Sequence, residues 1–162
     1  MGAGKTSVAD MVGDLLADAG VAHAVIDLDA LRRAWPPRPG DRFNFEVAVR
    51  NLRCVAGNYL EAGAVRLVLA GVAETSEERR RYAESVGIEL AVCRLRVELP
   101  VVRQRLARRH QNEKEALRWH LDRSDELDRI LEEAQVEDVV VEAGEGSVSE
   151  VAAAVLKAVG WS

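Results

Sequence analysis

Cysteine, lysine and aromatic residues are scarce in this sequence, and long apolar runs are absent. The two cysteines, Cys54 and Cys93, show no metal-ligand spacing, so neither a disulfide scaffold nor a zinc site is indicated. We interpret both as buried thiols of a reducing compartment. No apolar run is long enough to span a bilayer and no signal peptide is visible, so we expect no membrane partner and a cytoplasmic location.

Basic charge is also in short supply. Lysine and arginine together number 22 against 27 acidic residues, and the formal net charge is -5. A nucleic-acid-binding surface usually carries a basic excess, so no nucleic-acid partner is expected. The composition, 48% hydrophobic and 30% charged over 162 residues, is that of one globular domain spanning 1–162. It gives no indication of the oligomeric state.

The first seven residues, Met-Gly-Ala-Gly-Lys-Thr-Ser, match the second half of a phosphate-binding loop, whose full pattern is G-x-x-x-x-G-K-S/T. Glycines let backbone N–H groups turn toward a phosphate, and the positive end of the following helix adds to the attraction. The Lys5 ammonium can reach the β and γ phosphates, and the Thr6 hydroxyl can ligate Mg²⁺. The alternative is a flexible tail, but the run leads directly into an amphipathic helix. The predicted nucleotide-binding residues are Gly2, Ala3, Gly4, Lys5, Thr6 and Ser7.

Apolar periodicity predicts an alternation of helices and strands. Helices are predicted at about 5–19, 45–62, 75–87, 99–109, 113–134 and 147–159, and strands at 22–27, 65–72, 88–97 and 136–142. Strands that alternate with helices form right-handed crossovers, which give a parallel sheet covered by helices on both faces. The predicted fold class is therefore α/β.

Asp27 and Asp29 follow the first predicted strand, in the stretch Asp-Leu-Asp-Ala-Leu-Arg. In open α/β sheets, ligands bind at the carboxyl ends of strands. One carboxylate can hold Mg²⁺, directly or through water, while the other orients or deprotonates an acceptor hydroxyl. The alternative is structural, with Asp27 ending the strand and Asp29 capping the next helix. We predict Asp27 as a metal ligand and Asp29 as the catalytic residue, which could also cap that helix.

The phosphate-loop end, the Asp27–Arg32 stretch and the arginine-rich helix at 99–109 occur in the order of a known group. The chain resembles the small P-loop kinases of the nucleoside-monophosphate-kinase-like group, and its Asp-x-Asp-x-x-Arg pattern is most similar to adenylylsulfate kinases and, less closely, to gluconate kinases. The resemblance implies a three-layer fold with a five-stranded parallel sheet, ATP and Mg²⁺ as cofactors, and phosphoryl transfer to a small-molecule acceptor. It also implies that Asp29 contacts the acceptor or Mg²⁺, and that Arg32 anchors the acceptor.

The first glycine of the phosphate loop and the strand before it are not in the chain. In similar kinases that strand is central, so without it two neighbouring strands lose a partner and their backbone groups go unpaired. We therefore expect the natural reading frame to begin upstream of Met1, with a short apolar strand and a glycine.

Three arginines share one face of the helix at 99–109 through i+3 and i+4 spacing. In the kinases that the chain resembles, arginines here border a mobile lid and clamp the transferred phosphate or stack on adenine. The alternative is a solvated face paired with acids of the next helix. We predict Arg109 as a catalytic residue, Arg105 and Arg108 as nucleotide ligands, and a short helical lid at about 108–123 with Arg118 and Arg123 as further lid candidates.

The loop after the aspartates mixes tryptophan with arginines. Such a mixture can stack on, and hydrogen-bond to, a polar ligand, so we predict Trp35, Arg38 and Arg42 as acceptor-binding residues beside Asp29 and Arg32. A loop whose Trp35 closes the core is the alternative. The stretch 35–44 does not match an adenylylsulfate site, so the identity of the acceptor stays open.

These observations predict an ATP-dependent small-molecule kinase, in which positioning and charge stabilisation do most of the catalytic work. Two alternatives remain open. One is a nucleotide-binding regulatory NTPase that has no small-molecule acceptor and signals through a partner. The other is a non-catalytic truncated remnant, which the incomplete phosphate loop suggests.

Overall fold

Helices and strands alternate along the chain, as the sequence predicts. The computed structural model of the protein describes residues 2–110, 113–144 and 146–161, and of Arg109 only the backbone. Within those ranges, no helix is both long and apolar enough to cross a membrane. The helices are α1 (Lys5–Asp18), α2 (Leu28–Leu31), α3 (Phe45–Glu61), α4 (Ser76–Val86), α5 (Leu99–Arg109), α6 (Lys114–Ala134) and α7 (Val148–Ala158), and the strands are β1 (His23–Asp27), β2 (Arg66–Ala70), β3 (Cys93–Arg96) and β4 (Val139–Glu142).

The strands form two parallel pairs. Strand β1 pairs with β2, from His23 opposite Arg66 to Asp27 opposite Ala70. Strand β3 pairs with β4, from Cys93 opposite Val139 to Arg96 opposite Glu142. Among the described residues, no ladder joins one pair to the other.

The core lies on both faces of the strands. On one face, α1 and α7 pack together, with Val12 and Leu16 against Ala152. Val68 of β2 and Leu95 of β3 both reach this cluster, so the two strand pairs share it although no ladder joins them. On the other face of β1 and β2, a second cluster packs against α3 and α4, with Ile26, Leu28, Leu52, Ala56, Tyr82 and Val86 buried. The predicted arrangement of helix, sheet and helix layers is confirmed.

Local signals in the sequence define the helix ends. Thr75 is the N-cap of α4, where its hydroxyl accepts a hydrogen bond from the N–H of Glu78, and Gly87 ends the helix in the left-handed conformation at φ 71°. Ser147 begins α7 in a reciprocal capping box with Glu150. Each contact spans only three residues, so these boundaries could be predicted from the sequence.

The third strand is shorter than predicted. Instead of covering 88–97, β3 begins only at Cys93. The residues before it bond to side chains in place of a long strand ladder: the Leu90 carbonyl accepts a hydrogen bond from Arg79, and the Val92 N–H donates to the Asp138 carboxylate. Side chains from distant parts of the chain therefore set this boundary.

The expectation of two buried cysteines is wrong for Cys54. The buried stripe of α3 is Ala48, Leu52 and Ala56, and Cys54, two residues from either neighbour in that stripe, lies on the exposed side of the helix. Cys93 is half-buried, and burial raises the pKa of its thiol. Both cysteines are free thiols.

Arg79 of α4 ties the helix to the ends of the second strand pair. Its guanidinium donates to the carbonyl oxygens of Val136 at 2.6 Å and Leu90 at 3.2 Å. It also makes two hydrogen bonds to the Asp138 carboxylate, at 2.9 and 2.8 Å. The hydrogen bond from the Val92 N–H, together with Arg79, holds the pKa of Asp138 below its ordinary value although burial acts the other way. Arg79 thus connects the layer packed on β1 and β2 to β3 and β4.

Replacing Arg79 with alanine is expected to lower the free energy of unfolding by about 2 kcal/mol, because two carbonyls and a carboxylate lose a charged donor. Arg80→Ala on the same helix is the matched control. Arg80 pairs with the exposed Glu77 and Glu84, and exposed pairs contribute little. Urea denaturation followed by circular dichroism measures both variants. Equal losses in the two variants would contradict the role given to Arg79.

Candidate active site

The chain before α1 has the backbone geometry of an anion-binding loop. Gly2 and Gly4 adopt left-handed conformations, at φ 74° and 81°, and Gly4 is the N-cap of α1. Gly4 has no side chain with which to cap the helix, and the first turn contains no acid, so the helix N-terminus offers N–H groups to an incoming anion. Lys5 is half-buried at the first helical position, and Thr6 and Ser7 are exposed beside it.

The structure brings Thr6 together with Asp27, at the carboxyl end of β1. The Thr6 hydroxyl donates to Asp27 Oδ2 at 3.4 Å. The other carboxylate oxygen of Asp27 accepts hydrogen bonds from the N–H groups of Asp29 at 2.8 Å and Ala30 at 3.3 Å. Asp27 is therefore the N-cap of α2, and the interpretation of Asp29 as the cap is wrong. The reason is geometric, since α2 begins at Leu28 and its cap must precede it.

Thr6 and Asp27 provide two hard oxygen atoms at the end of a helix and a strand. Mg²⁺ prefers such oxygen ligands and usually keeps several waters, so it needs only one or two protein groups. Nowhere in the described parts of the chain do three His, Cys, Asp or Glu side chains form a group that could hold a metal. The chemistry of this pair thus fits Mg²⁺, and does not fit a zinc site of several protein ligands.

Asp29 and Arg32 lie together in the structure. Asp29 Oδ1 is 3.8 Å from Arg32 Nε, and the Asp29 side chain is 63% exposed. Arg32 Nη2 donates to the hydroxyl of Tyr82 at 2.8 Å. Burial raises the pKa of Tyr82 to about 12, so the phenol stays neutral and can accept this bond at neutral pH. The buried tyrosine thereby fixes the position of Arg32, while Asp29 stays open to solvent.

A first cavity of about 320 Å³ lies beside the glycine loop. Arg105 of α5 borders it and donates to the carbonyl oxygens of Ala143 at 3.3 Å and Gly144 at 3.4 Å, which follow β4. A side chain at Gly2 would meet α5, because a Cβ there would lie 3.1 Å from Val102 Cγ1. The cavity lining is Gly2, Ala3, Gly4, Ser7, Val8, Arg105, Leu106, Ala143, Gly146, Val148 and Val151.

The predicted group of three arginines is only partly assembled around this cavity. Arg105 lines it, whereas Arg108 is exposed and does not. The side chain of Arg109 lies outside the described residues. The roles predicted for Arg108 and Arg109 stay predictions.

A second cavity of about 550 Å³ lies beyond Arg32. Arg38 and Arg42 line it, but Trp35 does not, and Trp35 is 86% exposed. Their predicted role in acceptor binding stays a prediction. The interpretation that Trp35 closes the core is therefore wrong, because nothing buries it. The cavity lining is Arg32, Arg38, Pro39, Gly40, Asp41, Arg42, Phe43, Phe45, Glu46, Val72, Glu74 and Glu78.

Two polar residues hold the loop that carries these arginines. The buried side chain of Asn44 donates to the carbonyl oxygens of Arg32 at 3.0 Å and Ala34 at 2.8 Å. The Asp41 carboxylate accepts from the N–H groups of Phe45 and Glu46, at 2.7 and 3.0 Å. The two ends of the loop are thus fixed, and its arginines extend from a defined base.

The acidic wall of the second cavity, formed by Glu74 and Glu78, was not predicted from the sequence. Glu74 and Glu78 follow β2, at the carboxyl end of a strand next to β1. The rule that points to Asp27 and Asp29, that ligands bind at the carboxyl ends of parallel strands, could have found them.

Arg123, predicted as part of a mobile lid, is anchored. Its side chain is 9% exposed and forms ion pairs with Glu74 and with Glu126, the latter at 2.8 Å. Its guanidinium lies 4.8 Å from the centre of the Phe43 ring. Arg123 therefore joins α6 to the floor of the second cavity. A lid in the remainder of 108–123 stays a prediction.

Solved structures share this fold. The tunicamycin resistance protein of Deinococcus radiodurans matches with a TM-score of 0.69 and 20% identity, over 99% of this chain and 91% of that one. The APS kinase CysC of Mycobacterium tuberculosis, solved in complex with AMPPNP and APS, matches with a TM-score of 0.57 and 19% identity, over 98% and 92%. No family model and no curated protein sequence matches. The predicted fold class is confirmed, and the chain has a P-loop kinase-like fold.

Proposed function

We propose that the protein is an ATP-dependent phosphotransferase that acts on a small hydroxyl-bearing acceptor. The observation that carries the proposal is the contact of Thr6 with Asp27, 3.4 Å from hydroxyl to carboxylate, at the end of an uncapped helix. The contact joins the two parts that phosphoryl transfer requires, a phosphate cradle and a carboxylate at the end of the neighbouring strand. The kinase-like fold supports the same interpretation.

ATP would bind with its phosphates on the glycine loop and its base in the first cavity. The loop N–H groups and the Lys5 ammonium would neutralise phosphate charge, which matters most as charge shifts during transfer. The apolar side chains of Val148 and Val151 and the backbone after β4 suit a flat base. Arg105, whose side chain is held by two carbonyl oxygens, would border that base.

Mg²⁺ would be held by Thr6 and Asp27, with water and phosphate oxygens completing its shell. When bound, it supplies charge neutralisation on the phosphates. The chain's own contribution is positional: Asp27 caps α2 with one oxygen and keeps the other toward Thr6.

The acceptor would occupy the second cavity. Asp29, exposed and next to Arg32, would orient or deprotonate the reacting hydroxyl. Arg32, Arg38 and Arg42 would bind oxygen atoms of the acceptor, since guanidinium groups donate in a fixed fork. APS is an acceptor candidate only because a protein of the same fold was solved with it.

The test is a panel of acceptors with γ-labelled ATP and Mg²⁺: nucleosides, amino sugars, sugar acids and APS. Transfer to at least one compound is expected. ATP hydrolysis without a phosphorylated product would favour a regulatory NTPase, and failure to bind ATP would favour a non-catalytic protein.

Asp27→Asn separates the metal role from the capping role. Asparagine caps helices about as well as aspartate, so the melting temperature should stay within a few degrees. The Mg²⁺ concentration for half-maximal transfer should rise about tenfold, because a neutral amide is a poorer Mg²⁺ ligand than a carboxylate. Asp27→Ala is the companion variant, which should in addition lose about 1 kcal/mol of stability. An unchanged Mg²⁺ requirement in both variants would remove Asp27 from the proposed site.

A further inference from the structure

Glu78 lines the second cavity and has no part in the function proposed above. It lies half-buried in the first turn of α4, where its N–H donates to the Thr75 hydroxyl. One carboxylate oxygen, Oε2, accepts a hydrogen bond of 2.7 Å from the N–H of Glu74. The other, Oε1, has no hydrogen-bond partner in the described parts of the chain. One acceptor atom of this carboxyl is therefore unused.

The other acids of the cavity are engaged with the protein. Glu46 is paired with Arg81, and Glu74 with Arg123. Asp41 accepts two backbone N–H groups. Glu78 differs from Glu46 and Glu74, since no Arg, Lys or His of the described ranges lies within ion-pairing distance of it. It differs from Asp41, which uses both carboxylate oxygens, in accepting a backbone N–H with only one.

The surroundings of Glu78 favour a hydrogen bond over a permanent charge pair. The pKa of its carboxyl is raised above the ordinary value, and burial is the main cause. The charge of Glu74 also raises this pKa, whereas the hydrogen bond from the Glu74 N–H and the charges of Arg32 and Arg123 lower it. A half-buried carboxyl whose pKa is raised gains from any donor that a ligand supplies.

A complementary unused donor lines the same cavity. The Nε atom of Arg32 is buried and has no hydrogen-bond partner in the described parts of the chain, and Asp29 Oδ1 lies 3.8 Å from it. Arg32 and Glu78 are near enough to influence each other's charge, yet form no ion pair. A ligand with both donor and acceptor atoms would satisfy the two side chains together.

We propose that Glu78 is a specificity-determining residue, which accepts a hydrogen bond from a hydroxyl or N–H group of the acceptor other than the hydroxyl that receives the phosphate. The acceptor would then be a small polyhydroxy or amino-hydroxy compound, bound between Glu78 and the cavity arginines. This inference rests on the phosphotransferase function proposed above. A site built to hydrogen-bond a substrate donor rejects analogues that lack it, because its own polar group is then left unpaired.

The first experiment compares Glu78→Gln with Glu77→Gln. Glu77 is the neighbouring residue, which is exposed and paired with Arg80, and it does not line the cavity, so the control makes the same change of charge outside it. The probes are the compounds of the acceptor panel that accept phosphate from ATP. For Glu78→Gln, the KM of the acceptor is expected to rise about tenfold or more, with kcat less affected and the Kd of MgATP unchanged. Glu77→Gln should change none of these.

The second experiment keeps the protein unchanged, since Glu78 also holds the Glu74 N–H and its variant could lose stability. The best acceptor is compared with derivatives in which one N–H or hydroxyl, other than the reacting one, is methylated. At least one derivative is expected to lose about tenfold or more in kcat/KM, and Glu78→Gln should discriminate less between that derivative and the parent.

The outcomes separate the two proposals. Absence of transfer to every compound overturns the phosphotransferase function, and this inference with it. Transfer that is equal in Glu78→Gln and Glu77→Gln, or equal for the acceptor and all its methylated derivatives, overturns the role of Glu78 alone.

Discussion

Lys5→Ala is expected to reduce the rate of phosphoryl transfer about a hundredfold to a thousandfold at saturating ATP, the range found when a preorganised charge-stabilising donor is removed. Lys5 occupies the first position of α1, directly after the left-handed Gly4. From there its ammonium would reach the β and γ phosphates and stabilise the negative charge that shifts during transfer. Weaker ATP binding should accompany the loss of rate.

The fold should tolerate this substitution. Lys5 is only half-buried, and the core below it is formed by Val8, Val12 and Leu16 of the same helix. The melting temperature is therefore expected to stay within a few degrees of the unmodified protein. Lys157→Ala, in the last turn of α7, is the control for loss of a lysine and should leave transfer unchanged. Unchanged turnover in Lys5→Ala at saturating ATP would refute the kinase proposal.

Asp29→Asn is expected to lower kcat about a hundredfold, in line with the contribution of general acid–base groups. The affinity for ATP should change little, because Asp29 does not line the first cavity, where the base of ATP is proposed to bind. The side chain is exposed and its ion pair with Arg32 is long, at 3.8 Å, so little stability should be lost.

The structure removes one alternative explanation for the result of this experiment. With Asp27 as the cap of α2, a loss of rate in Asp29→Asn cannot arise from a lost helix cap. Asp14→Asn, an exposed aspartate of α1, controls for the change in net charge. A wild-type kcat in Asp29→Asn would assign the catalytic role elsewhere, and Glu78 and Asp27 would be the next carboxylates to replace.

The sequence by itself determined the features that depend on neighbouring residues. The glycine loop, the start of α1 at Lys5 and the caps at Thr75 and Ser147 follow from contacts over three or four positions. The alternation of predicted helices and strands was enough to predict the parallel layered fold, because buried apolar residues recur at a spacing that is characteristic of each element. The resemblance to P-loop kinases rested on the order of the phosphate-loop end, the Asp27–Arg32 stretch and the arginine-rich helix, and the fold confirms it.

Only the tertiary structure decided which distant side chains meet. Thr6 lies beside Asp27 because α1 packs against β1. Arg123 pairs with Glu74, which lies 49 positions away in the sequence. This pair anchors Arg123, although the sequence placed it in a mobile lid. Glu78 lines the second cavity together with Arg32, while Trp35 stays outside it. Such contacts leave no periodic pattern, since charged side chains at the ends of strands satisfy the same local rules whether they face a ligand, a partner or water.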